Sequence, residues 1–334
     1  MATSIARTGT DLHVAIADWL LHSNVRIRSG RHAGAIAGWL NEHGEPEFAY
    51  PEITGYYLSW LAFVASLRQG LDVRPAATAA VEWLGTVTSA DRPPATRYYF
   101  DDRADWRNAA TFTFDLAMVC RGLHAVRRLV PEHSRRDVLQ KLLRHVMPTS
   151  DVLPVFINMQ RELPDRWSTR PGPFQLKTAA ALLSIQEHPA FWKMFYRWNG
   201  RVLDGLDAGE LHAAFYALEG LVQFGVSGKP EALHEATSCF EVLFGCIDDA
   251  RSDVIAQGLG LGCTLRSLGF LRTNRWNDRL AELHFRLERF IADSGAVSFR
   301  PFAGRPVHFN TWAAIFAHCV LRQQPMPGGL SCAR

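Results

Sequence analysis

The chain has 334 residues, 48% of them hydrophobic and 21% charged. That is enough apolar material to bury one large core or two ordinary ones, and it excludes a disordered chain. Thirty-six Lys+Arg against 33 Asp+Glu leave a formal charge of +3, which excludes a strongly basic nucleic-acid surface. The basic side is nearly all arginine, with Lys141, Lys177, Lys193 and Lys229 the only lysines; a bias spread over the whole chain reads as composition.

At the N-terminus, Asp11, His13 and Asp18 interrupt the apolar stretch, so it lacks the continuous run of a signal peptide. No segment approaches the roughly 18 apolar residues that span a bilayer. The expectation is a soluble, cytoplasmic protein with no membrane partner. Cys120, Cys239, Cys246, Cys263, Cys319 and Cys332 are scattered without a CxxC pair, and reduced thiols are expected.

Apolar residues recur at three- and four-residue spacings nearly throughout, which predicts an all-α fold. The predicted helices are 9–24, 52–69, 75–90, 109–129, 134–147, 173–187, 189–203, 209–225, 229–247, 253–271, 275–293 and 308–323, with a short further piece at 32–42. Ser134 with Asp137 resembles a capping box, Pro189 and Pro230 suit first-turn positions, and Gly225 and Gly228 mark a helix end. Segments 229–246 and 275–293 carry one apolar stripe among charges and belong outside. Segments 111–126, 210–225, 253–269 and 308–321 are apolar on nearly all sides and belong in an inner layer.

Inner and outer helices alternating every roughly 40 to 50 residues describe stacked helical hairpins. About six of them close into an (α/α)6 toroid; an open superhelix is disfavoured because the pairs share no repeat sequence and the ends lack capping units. The whole chain, 1–334, reads as one domain. Two long irregular stretches, 91–108 and 148–172, are rich in Trp, Phe and Arg and are expected over the cavity mouth. In a closed toroid the inner-helix N-termini converge there, so polar residues at those starts are the site candidates.

Taken along the chain, the first candidate is AYPEITGYYLSWL (49–61). Glu52 complements a helix start, and Tyr50, Tyr56 and Tyr57 offer an aromatic wall for a sugar ring or peptide. The same residues also fit a capped helix with interfacial tyrosines. Within ELHAAFYALEGL (210–221), Glu210, His212, Tyr216 and Glu219 fall close to one helical face. Such groups on a mostly buried helix are costly unless satisfied or used. His212 with Tyr216 suits proton transfer, while a polar network bridging helices is the plain alternative. Asp115, Asp253 with Gln257, and Asn310 with Trp312 are further polar or aromatic intrusions near inner-helix starts.

YPEITGYYL, FTFDLAMVCRGL, HAAFYALEGL, DVIAQGLGL and FNTWAAIFA together resemble, in the same order, motifs of bacterial helical-toroid proteins of polysaccharide-biosynthesis type. YPEITGY and HxxxYxLEGL are the specific parts. The chain departs from the pattern after Asp115, where Leu116 and Ala117 replace small and polar residues. The resemblance implies an (α/α)6 toroid like those of glycan lyases, hydrolases and epimerases, and it fixes no single reaction.

The function expected is therefore an enzyme acting on a saccharide or glycoconjugate by acid/base chemistry. His212 and Tyr216 exchange protons, Glu52 and Asp253 orient or assist, and Tyr57 and Trp312 stack on substrate. Tyr50, Asp115, Gln257 and Asn310 contribute to binding, and Arg97, Arg103 and Arg170 meet a carboxylate or phosphate. The rival is a peptide cyclase of lanthionine type, for which Cys263, His318 and Cys319 are conceivable zinc ligands. A class I terpene synthase, from FDDRAD (100–105), and a noncatalytic interaction protein are further alternatives. No cofactor or metal is predicted, and the oligomeric state is not encoded in any feature of the sequence.

Overall fold

The computed structural model describes residues 9–67, 71–103, 105–205, 210–249, 251–302 and 307–322. Twelve α-helices are described: α1 (Gly9–His22), α2 (Pro51–Ser66), α3 (Arg74–Val87), α4 (Thr113–Ala125), α5 (Glu132–Val146), α6 (Gln175–Leu183), α7 (Pro189–Trp198), α8 (Leu211–Val226), α9 (Pro230–Phe244), α10 (Ser252–Ser267), α11 (Asn274–Glu288) and α12 (Thr311–Leu321). The even-numbered helices pack in a circuit, α2 on α4, α4 on α6, and onward until α12 returns to α2. The odd-numbered helices lie outside, each of α5, α7, α9 and α11 against the inner helix before it, and α1 against α12. The ring is closed, an (α/α)6 toroid.

Amphipathicity sorts the two layers. α11 buries only Trp276, Leu280, Leu283 and Leu287, at the three- and four-residue spacing of a single stripe. α10 buries nearly its whole length, because neighbours enclose it on every side. Close approach is made possible by glycine. A Cβ on Gly55 of α2 would stand 2.5 Å from the Met118 carbonyl oxygen of α4, and one on Gly220 of α8 would stand 2.5 Å from the Lys177 amide of α6. Gly258 and Gly262, in the GLGLG run, lie inside α10 against Ile247, Leu280 and Phe240, so that run is helix packing.

Three short antiparallel pairs brace the end of the ring where the inner helices start. β1 (Trp39–Leu40) pairs with β6 (Phe309–Asn310), β2 (Phe48–Ala49) with β3 (Tyr98–Tyr99), and β4 (Ala110–Phe112) with β5 (Phe156–Met159). β2, β4 and β6 each lead directly into α2, α4 and α12, so the loop segments 91–108 and 148–172 are tied to helix starts by backbone hydrogen bonds.

The helix expected at 32–42 is not present. Gly30 and Gly34 take positive φ, a 3-10 turn occupies Gly30–His32, and Gly38 presses on the Phe48 ring before β1, so tertiary packing holds this piece extended. Ser134 is not a cap either, since α5 already begins at Glu132 behind Pro131. Pro189 and Pro230 do open α7 and α9. Cys120, Cys239, Cys246 and Cys263 are free thiols, whereas Cys319 is disulfide-bonded, so the expectation of reduced thiols does not extend to it. Among the described residues no helix is long and apolar enough to cross a membrane.

The glycine contacts carry a stability prediction. Gly55→Ala drives a methyl into the α4 backbone and is expected to cost about 1–3 kcal/mol of overpacking strain. Gly245→Ala, where a Cβ meets open space, is expected to be near neutral. Urea unfolding of the two variants checks this, and equal midpoints would contradict the close packing of α2 on α4.

Candidate functional site

A cavity of about 430 Å³ opens at the end of the ring where the inner helices begin. Every inner helix places one chemically distinctive residue in its first turn: Glu52 on α2, Asp115 on α4, Lys177 on α6, His212 on α8, Asp253 on α10 and Trp312 on α12. Glu52, Asp115, His212 and Trp312 line the cavity, with Tyr50, Tyr216, Arg97, Trp106, Arg107, Arg166, Trp167 and Arg251. Asp253 and Gln257 sit directly behind His212, fully or almost fully buried.

His212 is held by a chain of polar contacts. Gln257 donates its amide Nε2–H to Glu219 Oε1 at 3.0 Å, because an ionised carboxylate can only accept. That turns the Gln257 carbonyl toward His212, 2.6 Å from Nδ1. An amide oxygen also only accepts, so Nδ1 carries the proton, with Asp253 Oδ2 a second acceptor at 3.4 Å. Nε2 is left with its lone pair. Burial pushes the imidazole down to about 4, with Arg251 and Lys177 adding to the shift against Asp253 and Gln257; the ring is neutral near pH 7. Burial alone would raise the Asp253 carboxyl. Arg251, bonded through Nε at 3.0 Å and an NH2 at 2.6 Å, overrides it with His212 and the Trp312 indole, whose Nε1–H donates at 3.1 Å.

At the far end of the same chain Lys177 forms an ion pair with Glu219, both buried. Its ammonium also lies 4.0 Å from the Tyr216 ring centroid, 4.9 Å from Tyr56 and 5.7 Å from Phe316. Burial lowers this lysine to about 8, against the Glu219 charge. Tyr216 stacks 4.3 Å from His212 and 4.8 Å from Phe114, and burial raises its hydroxyl well above the ordinary phenol range.

Glu52 and Asp115 form the other titrating element. Burial raises both carboxyls. The Glu52 charge raises Asp115 further, while Tyr50, Lys177 and Arg97 restrain the rise at Glu52. Asp115 Oδ2 is buried without a hydrogen-bond partner. A carboxyl beside a second carboxylate holds its proton more readily than one alone, and that is the direction of the shift at Asp115.

Other expected site residues lie elsewhere. Tyr57 is fully buried, packs on Trp60 and donates its hydroxyl to the Leu20 carbonyl at 3.1 Å; it faces α1, one helical step away from the side of α2 that carries Glu52 and Tyr56. Arg103 is exposed and paired with Glu47 and Asp101. Arg170 is exposed and paired with Asp165. Asn310 is buried as the N-cap of α12, its Oδ1 accepting from the Ala313 amide at 2.9 Å. From the long segments, Arg97, Trp106, Arg107, Arg166 and Trp167 line the cavity.

The aspartates of FDDRAD do not converge. Asp105 caps a 3-10 turn and binds Arg107 and Tyr99, while Asp101 faces outward against Arg103. Among the described residues no group of three His, Cys, Asp or Glu is placed to hold a metal. That covers the terpene-type aspartates and also Cys263, His318 and Cys319, where the Trp60 indole donates to His318 Nδ1. Lys177 and Glu219 are the main site residues that reading by segment underweights. A lysine inside QLKTAAALL, in a chain with four lysines, was the available signal.

Two measurements follow from this geometry. The unfolded chain binds a proton at His212 near pH 6.5, whereas the native ring does not until about pH 4. Native stability attributable to His212 is therefore complete above pH 6.5 and declines as pH falls toward 4. His212→Asn should flatten the decline in urea-unfolding free energy over that interval, and an unchanged slope would contradict a neutral, buried ring. Lys177→Met leaves Glu219 buried and unpaired, at an expected cost of about 3–5 kcal/mol. Adding Glu219→Gln should restore a large part of that loss, and unfolding curves for the wild type and the two variants test it.

No family model matches the chain, and no curated protein matches it. Solved structures match over nearly its full length. Cellobiose 2-epimerase from Bacillus thermoamylovorans B4167 is 9% identical, covering 95% of this chain and 100% of its own, with a TM-score of 0.66. The GH76A α-1,6-mannanase from Salegentibacter sp. HEL1_6 is 9% identical over 95% of this chain and 98% of its own, TM-score 0.63. An unsaturated glucuronyl hydrolase specific for heparin is 9% identical over 95% and 97%, TM-score 0.63. These structural neighbours are carbohydrate-active toroid enzymes of three different reaction types, and at such identities the likeness is one of fold.

Proposed function

We propose that this protein is an enzyme acting on a saccharide or glycoconjugate by acid/base chemistry at the toroid mouth. The observation that carries the proposal is the presence, in one cavity, of His212, whose Nδ1 is turned inward onto Gln257, together with the carboxyls of Glu52 and Asp115, both raised by burial. The fold shared with a mannanase, an epimerase and a glucuronyl hydrolase supports a sugar as the occupant.

His212 Nε2 is the base. It accepts a proton from the substrate or from water, and the resulting imidazolium is stabilised by Asp253 at 3.4 Å. The Glu52/Asp115 pair is the acid and delivers its proton to the departing or ring oxygen. Tyr216 is poorly suited to exchange protons, because its hydroxyl is raised so far; it serves as a hydrogen-bond donor and packs the imidazole. Trp312 is held by its indole N–H on Asp253, and with Trp106 and Trp167 it gives the sugar ring aromatic faces.

The test is incubation in D2O with neutral and acidic oligosaccharides, followed by NMR. Deuterium at a sugar carbon identifies an epimerase, a new vinyl proton signal identifies a lyase, and new reducing ends with neither identify a hydrolase. His212→Asn and Asp115→Asn should each lower turnover by about 100-fold or more. Turnover that survives both substitutions, or the lack of both conversion and saturable sugar binding, would sink the proposal.

A further inference from the structure

The saccharide reading leaves one property of the mouth unexplained, the concentration of guanidinium groups. Arg97, Arg107, Arg166 and Arg251 all reach the cavity, from the segment after α3, the segment before α6 and the start of α10. Each lies on an aromatic ring: Arg97 4.2 Å from the Phe48 centroid, Arg107 4.7 Å and Arg166 5.4 Å from that of Trp106, and Arg251 5.0 Å from that of Phe299. A guanidinium packed over a ring can still donate from its edge, although the Nε/NH2 edge of Arg251 is taken by Asp253.

The charges are only partly answered from behind. Asp105 serves Arg97 and Arg107 together, Asp253 is committed to Arg251, and Glu210 is the carboxylate acting on Arg166. The Nε atoms of Arg97 and Arg166 are buried without any hydrogen-bond partner. Burial and then the positive field of Arg107 make the charged form of Arg166 less favourable than in water, with Arg251 and Arg97 contributing and Glu210 opposing. Unsatisfied donors in a converging positive field are costly in the empty site and are relieved by an anion.

We propose that Arg97, Arg107, Arg166 and Arg251 form an anion subsite at the cavity mouth, so that the saccharide accepted there bears an acidic group. This rests on the saccharide reading above. The acidic group is either a carboxylate, as in a uronic acid, or a sulfate or phosphate ester; both present coplanar or tripodal oxygens to a guanidinium fork. Arg166 is the central member, because it shares Trp106 with Arg107 and faces the fields of the other three. Asp115 and Glu52 are carried by the inner helices α4 and α2, and the arginines by the covering segments and the N-cap of α10, so an anion held by the arginines leaves the acid/base groups to the rest of the sugar.

The test titrates the full-length protein with methyl glucoside, methyl glucuronide, glucose 6-sulfate, glucose 6-phosphate and inorganic sulfate, followed by indole fluorescence from the cavity tryptophans. At least one acidic sugar should bind about tenfold or more tightly than methyl glucoside, a difference of roughly 1.4 kcal/mol, and added salt should shrink the advantage. Preference for the glucuronide assigns a carboxylate, and preference for either ester assigns that group. Arg166→Gln should abolish the advantage, so that acidic and neutral sugars bind that variant equally; Arg166→Lys, which keeps charge and loses the fork, should retain a fraction of it. Arg107→Gln provides the same readout if Arg166→Gln does not fold. Equal binding of neutral and acidic sugars to wild type, or an advantage that persists in Arg166→Gln, overturns the subsite. Arg166-dependent sulfate binding without any sugar binding preserves the subsite and overturns the saccharide reading. No binding of any probe overturns both.

Discussion

Closing six helices into a ring leaves an axial space that side chains from all of them must fill, and here an ammonium group occupies it. Lys177 rises from α6 to meet Glu219 of α8 and the rings of Tyr56, Tyr216 and Phe316, on α2, α8 and α12. Taking a lysine out of water is expensive. The carboxylate and three aromatic faces offset that cost only if all four helices keep their relative positions. The ion pair thus constrains the ring at its centre, and the polar chain running outward from it inherits that rigidity.

From Glu219 the constraint passes to Gln257 and then to His212. Each step is set by what the next atom is able to do: a carboxylate accepts, so an amide donates to it, so the amide oxygen meets the imidazole N–H. The tautomer of His212 is in this sense fixed by a lysine three residues along the network. Asp253 shows the same economy. One carboxylate orients Arg251, receives the Trp312 indole and stands beside His212, which couples the basic rim of the cavity to its proton-transfer groups.

The location of the cavity follows from helix polarity. The inner helices all start at one end, and β2, β4 and β6 deliver the chain to three of those starts. First-turn side chains therefore converge, and the two irregular segments, tied down by β3 and β5, roof them with arginine and tryptophan. Glycines at the α2–α4 and α6–α8 crossings let backbones approach closely enough for a narrow ring. Wider spacing would place Glu52 too far from Asp115 for its charge to raise that carboxyl.

Local periodicity was enough to determine the helical class and the alternation of inner and outer helices, because each depends on which residues share a face of one helix; closure of the ring is made by α12 against α2, far apart in the chain. It also brought forward Glu52, His212 and Asp253 as polar groups at the starts of α2, α8 and α10, with Tyr216 one turn after His212. The functional sides of side chains were decided only by the tertiary structure. Tyr56 and Tyr57 are adjacent in sequence, yet roughly 100° of helical rotation sends one to the axis and the other to α1. Arg103 and Arg170 were indistinguishable from Arg107 and Arg166 by composition; loop geometry turned the first two outward to carboxylates and the second two onto Trp106. Partners distant in the chain, such as Lys177 with Glu219, carry no local periodicity at all, and only the closing of the ring brings them together.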